Sequence, residues 1–170
     1  MQKVIIDTNV LVSSIIQKSY PFLIVRKLFF EDKFSLCLSA SLMQEYWDVL
    51  FREKFGKYLD FYLESSDLLG EIGNRAINFS ATIRIDLLGD KDDNMLLELA
   101  HESRADFLIT GNTNDFTISK YEETLIVSPK DYWENYRPYL LQLACISLFD
   151  NVFSMIPAEV VTSKTLPPSP

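Results

Sequence analysis

The stretch from Asp90 to Phe116, DKDDNMLLELAHESRADFLITGNTNDF, constrains the fold more than any other part of the chain. Asp90, Asp92 and Asp93 open a segment in which Met95, Leu96, Leu99 and Ala100 recur at steps of three and four, the spacing of one helix face. Phe107–Thr110 then forms a short apolar run of the kind that makes a buried strand. It breaks at Gly111 into a polar turn carrying Asn112, Asn114 and Asp115. A helix that starts on carboxylates, followed by a strand that ends on more of them, can bring both sets to one end of a sheet.

Elsewhere the chain repeats this alternation. Lys3–Asp7 (KVIID) is a continuous apolar run ended by an acid, which suits a buried parallel strand, and Thr8 and Asn9 can cap the helix that follows. Phe34–Leu38 and Thr124–Ser128 read as further strands. Helical spacing marks Ser41–Phe51, with Glu45 early in it. A longer, weaker helical pattern runs from Phe55 to Ile77, where Gly70 and Gly73 are candidate breaks. Strands alternating with helices predict an α/β fold: a parallel sheet of four to five strands covered on both faces.

The hydrophobic fraction of 48% in 170 residues is enough for one well-buried core. We expect one domain over residues 1–136. Residues 137–170 would then carry an apolar helix (Leu140–Phe149) and a Ser/Thr/Pro-rich, disordered tail of unknown role. No run approaches the roughly 20 apolar residues of a membrane span, and no stretch resembles a signal peptide. Cys37 and Cys145 lack metal or redox spacing, so two free thiols in a reducing cytoplasm are expected. The net charge of -8 argues against holding nucleic acid by phosphate neutralisation alone.

In a parallel α/β sheet every strand ends at the same pole, where ligand sites form. Asp7 ends the first strand, Glu45 lies in the first turns of the helix after the second, Asp93 opens the helix before the third, and Asp115 follows that third strand. Four carboxylates in one cleft repel one another, and a hard divalent cation with oxygen ligands, Mg²⁺ or Mn²⁺, removes that cost. The chemistry such a centre supports is phosphodiester hydrolysis. Asp90 and Asp92 are expected on the surface, favouring the helix dipole.

With the acids in this order, the chain resembles the PIN-domain nucleases. VIIDTNVLV (Val4–Val12), LSASLMQEY (Leu38–Tyr46), DKDDNMLLELA (Asp90–Ala100) and ADFLITGNTNDF (Ala105–Phe116) match four family segments in order, and the similarity extends from about Met1 to Trp133. The nearest subgroup is the VapC-like toxins of bacterial and archaeal toxin–antitoxin pairs. The resemblance implies a three-layer α/β/α fold, one or two Mg²⁺ or Mn²⁺ ions and RNA cleavage. It maps Asp7, Glu45 and Asp93 onto the main acids. Many members have an acid where this chain has Asn112, so Asp115 is carried as the fourth acid and Asn112 as a neutral neighbour. Thr8, Asn9 and Thr110 would orient carboxylates and water. An antitoxin protein is the implied partner beside RNA. The apolar C-terminal run could also serve a homodimer.

Other readings fit less well. Asp90-x-Asp92-x-Asn94 starts like an EF-hand, but Met95 and His101 stand where that loop needs Gly and Glu. There is no Gly-rich phosphate loop. His101, the single histidine, falls two turns along its helix, away from the acids. An aspartyl-phosphate phosphatase would need a second acid where Asn9 stands. The competing class is a PIN-fold RNA- or protein-binding module with little catalysis.

Overall fold

The computed structural model describes residues 1–112, 116 and 118–138. Asp115 and the apolar run and tail expected beyond residue 138 lie outside the described residues. The unit Met1–Tyr136 is compact. Its elements are β1 (Lys3–Ile6), α1 (Thr8–Ile16), α2 (Tyr20–Leu23) running on as a wider π-helix over Ile24–Phe29, β2 (Ser35–Leu38) and α3 (Ala40–Leu50). They continue with α4 (Phe61–Arg75), β3 (Ile77–Asn78), α5 (Lys91–Ser103), β4 (Phe107–Ile109), β5 (Lys120–Tyr121), β6 (Thr124–Val127) and α6 (Pro129–Asp131), which winds on through Tyr132–Tyr136.

The strands form one sheet in the order β3-β2-β1-β4-β6-β5. Five run parallel, as the strand pattern predicts, and β5 joins the edge antiparallel to β6. Consecutive strand residues face opposite sides of a sheet. Val4, Ile5 and Ile6 are all at most 1% exposed, so both faces are covered. The chain leaves β1 toward β2 on one side and returns to β4 on the other. That order reverses between β1 and β4, and the crevice beyond their C-terminal ends is where open α/β sheets take ligands.

Two elements depart from their expected form. The helix expected from Phe55 begins only at Phe61, and it runs unbroken through Gly70 and Gly73. Each glycine costs roughly 0.5–1 kcal/mol relative to alanine, but α4 buries Phe61, Leu68, Leu69 and Ile72. Burying one large apolar side chain contributes roughly 1.5–3 kcal/mol, so packing overrides propensity. The segment between β3 and α5 is an irregular strap held down by α5. Thr82 N donates to Glu102 Oε1 at 2.8 Å, Ile85 N to Glu98 Oε1 at 3.1 Å, and Leu87 N and Leu88 N to Asn94 Oδ1 at 3.0 and 2.9 Å. Asn94 Nδ2 returns bonds to Leu88 O at 2.7 Å and Asp90 O at 2.9 Å. This brings the chain back to the pole so that α5 starts there. Among the described residues no helix is long and apolar enough to cross a membrane.

Candidate active site

Asp7 is placed by the sheet. Its backbone N donates to Ile109 O at 2.9 Å, so the last residue of β4 fixes the residue after β1. Its carboxylate caps α1, with Oδ1 accepting from Asn9 N at 3.3 Å. Oδ2 accepts from Asn9 Nδ2 at 2.6 Å and from the Thr110 hydroxyl at 2.5 Å. Thr110 Oγ1 also accepts from Asn112 N at 3.0 Å, so its hydroxyl links that backbone N–H to the Asp7 carboxylate, which when ionised can only accept. Asn9 is held at its other end, where Oδ1 accepts from Gly111 N at 2.9 Å.

Glu45 comes from α3, which Ser39 caps through Leu42 N at 3.2 Å. The neighbouring Tyr46, fully buried, donates its hydroxyl to Ile6 O at the end of β1. This bond ties α3 to the strand that presents Asp7. The Thr8 hydroxyl then donates to Glu45 Oε1 at 2.6 Å. Adjacent residues 7 and 8 therefore engage two carboxylates from elements far apart in sequence.

From α5, Asp93 enters the same cleft, a depression of about 500 Å³ that Asp7 and Glu45 also line. Asp90 caps α5 by accepting from Asp92 N at 2.9 Å. Asp90 and Asp92 are exposed, as expected for surface residues, yet they line this cleft as well, because the first turn of α5 stands over it. Thr8, Asn9 and Asn112 are on its walls, while Thr110 lies buried beneath Asp7. His101 is elsewhere, 2.9 Å from Glu122 Oε1.

Burial acts on both Asp7 and Glu45, and neighbouring acids act on Glu45. Burial pushes the Asp7 carboxyl above its ordinary value, although the bonds from Thr110 and Asn9 pull the other way. The Glu45 carboxyl is also raised, first by burial and then by repulsion from Asp7, Asp92 and Asp93, against the Thr8 bond. An all-oxygen donor set that resists its own ionisation suits a hard divalent cation, which would be held by Asp7, Glu45 and Asp93. Among the described residues no three acids stand close enough to form a ready-made cage, so a bound ion would keep several of its waters.

Two cleft residues escape the sequence reading. Arg52 and Lys54 follow the end of α3 and line the same cleft as the acids. Arg52 continues the helical step from Glu45 and Val49, and that spacing is the one signal that could have found it. A second cavity, of about 390 Å³, lies between the strap and α5. Its buried acid Glu98 is already engaged by Arg84 at 3.0 Å and by Ile85 N.

The PIN domain family profile matches residues 3–114 of the chain. An uncharacterized protein of Methanocaldococcus jannaschii, MJ1680, is 25% identical over 146 residues, which cover 81% of this chain and 94% of the relative.

Proposed function

The chain belongs to the PIN domain family, whose members are nuclease-type hydrolases that bind nucleic acid, and from that premise we propose that it is an endoribonuclease dependent on Mg²⁺ or Mn²⁺. One observation carries the reading. Thr110, Asn9 and Thr8 hydrogen-bond two buried or half-buried carboxylates, Asp7 and Glu45, toward a cleft that also receives Asp93. A cation bound there would activate water and neutralise charge on the scissile phosphate. The protein's part is to fix the carboxylates. Thr110 and Asn9 hold both oxygens of Asp7, and Thr8 holds Oε1 of Glu45, so each carboxylate is set in one orientation at the cleft. Asp115, from the turn after β4, is proposed as the fourth acid, with Asn112 as its neutral neighbour. Cleavage of a labelled RNA with Mn²⁺ tests this. Asp7→Asn and Asp93→Asn should abolish cleavage and leave the fold intact, and full activity in both variants would sink the assignment.

The finer reading is the toxin of a toxin–antitoxin pair, acting in the cytoplasm and held in check by an antitoxin protein. It is supported by the VapC-like motif order. Induced expression should arrest growth, and Asp7→Asn should relieve the arrest.

A second reading has its own support. Asn112 stands where many family members have an acid, and basic residues are scarce, sixteen against twenty-four acids. Both favour a PIN-fold binding module with weak catalysis. Calorimetry separates the two readings. Mg²⁺ or Mn²⁺ binding in the millimolar range or tighter supports the nuclease, and RNA association without metal binding supports the module.

A further inference from the structure

The cleft carries a charge problem that metal alone does not solve. Among the described residues five carboxylates line it: Asp7, Glu45, Asp90, Asp92 and Asp93. A phosphodiester chain entering such a cleft is repelled before it reaches the centre. Among the described residues, the only cations on the lining are Arg52 and Lys54. With so many acids at hand, neither forms an ion pair with another described residue, whereas Arg26, Arg75 and Arg84 all do. Two cations that line an acidic cleft without an ion-pair partner among the described residues are matched to a polyanion that spans past the acids.

The turn that carries them is held by backbone bonds and ring packing. Arg52 O accepts from Phe55 N at 3.0 Å and from the Tyr62 hydroxyl at 3.2 Å. Glu53 O accepts from Gly56 N at 3.0 Å. The Phe55 ring is buried and stacks on Phe61 with ring centroids 4.8 Å apart, and Lys54 Nζ lies 4.9 Å from the centroid of Phe55. Gly56 leaves room for this arrangement, since a Cβ there would stand 3.1 Å from the Tyr62 hydroxyl. The backbone under both cations is therefore fixed by groups other than the cations, as a preformed binding turn requires.

We propose that the Arg52–Lys54 turn is the substrate clamp of this cleft, gripping backbone phosphates of a single-stranded RNA on the side facing the acids. The inference rests on the ribonuclease reading but makes a separate demand, on binding instead of on metal or cleavage. The guanidinium of Arg52 can take one phosphate by paired hydrogen bonds, and Lys54 acts as a point charge on a neighbouring one.

The test is fluorescence anisotropy of a short labelled single-stranded RNA against the full chain, with and without Mg²⁺, over a salt series. Variants are Arg52→Gln, Lys54→Gln and the double, with Lys27→Gln as a charge-matched control on the exposed surface of another element. Each lost phosphate contact reduces the steepness of the negative slope of log K against log salt by about 0.7, so the double variant's slope should be shallower by about 1.4. Lys27→Gln should change it little. In a cleavage assay the clamp variants should raise KM more than they lower kcat. An unchanged slope in the double variant, or an equal loss in Lys27→Gln, overturns the clamp. Absence of RNA binding by the wild type also overturns it. Mn²⁺ calorimetry and cleavage by the same preparations decide the nuclease reading independently. Melting curves check folding, and both side chains are exposed, so the glutamine variants should melt with the wild type.

Discussion

Gly111 N donates to Asn9 Oδ1 at 2.9 Å, and the Cβ of any other residue at position 111 would lie 2.9 Å from that same oxygen. The close approach, not a left-handed backbone, demands glycine here, because no glycine of the described chain has positive φ. Asn9 is the tip of a flexible side chain and can move away cheaply. Moving it, however, frees the 2.6 Å bond to Asp7. Gly111→Ala should therefore leave the melting temperature nearly unchanged and weaken Mn²⁺ binding and cleavage by roughly 10-fold or more. A normal metal isotherm for this variant would show that Asn9 does not position Asp7.

Thr110 and Thr8 divide the two carboxylates between them. Valine matches the shape of threonine but has no hydroxyl, so Thr110→Val leaves Asp7 Oδ2 with one donor in place of two. Groups that orient metal ligands typically cost 10–100-fold in affinity or activity when lost. We expect Thr110→Val and Thr8→Val each to fall in that range by Mn²⁺ titration and by kcat, and Thr→Ser at either position to restore most of the effect. Loss of activity that serine does not rescue would point to packing in place of the hydroxyl.

The parallel sheet was readable because its strands are buried on both faces and so appear as unbroken apolar runs at Val4–Ile6, Leu36–Leu38 and Phe107–Ile109. β5 was not readable. It is two residues long, and its pairing with β6 depends on Glu122 turning at φ 47°. Asp7, Glu45 and Asp93 could be grouped because each sits next to a legible strand or helix start. Arg52 and Lys54 could not, since a cation after a helix end looks like solvated surface until tertiary contacts place it. Asn94 was missed for a related reason. Amid three aspartates it reads as one more polar residue, while in the fold it is 4% exposed and organises the strap.

That role makes Asn94 testable by stability. Alanine there removes two bonds to Leu87 N and Leu88 N and two from Asn94 Nδ2 to Leu88 O and Asp90 O. Leu87 and Asp90 are exposed and can turn to water, but Leu88 is buried. An unpaired buried group costs roughly 1–3 kcal/mol, so Asn94→Ala should lose about 2–3 kcal/mol in urea unfolding, with the slope of the transition unchanged. Cleavage should fall as well, because the same bonds bring Asp90 and Asp93 to the pole. A variant as stable as wild type would mean that the strap is held mainly by Glu98 and Glu102.

Burial raises the pKa of Asp7 above its ordinary 3.8 and that of Glu45 above 4.5. An acid raised by folding holds its proton more tightly in the native chain than in the unfolded one. Between the two values the native state binds more protons, so stability falls as pH rises. The contribution is complete below the ordinary carboxylate range and is lost as pH climbs through the raised values. Other acids act oppositely, such as Glu102, lowered by its bonds from Thr82, so the useful quantity is a difference. Without metal, Asp7→Asn should gain stability relative to wild type as pH increases from about 4 toward neutrality, and the gap should close at acid pH. Saturating Mn²⁺ should reverse the order at neutral pH, because the ion stabilises the ionised carboxylates of the wild type. Urea unfolding at a series of pH values, with chelator and with Mn²⁺, measures both. Parallel curves for the two proteins in chelator would mean that Asp7 ionises in the folded chain at no cost, and the electrostatic case for a cation at this cleft would fail with it.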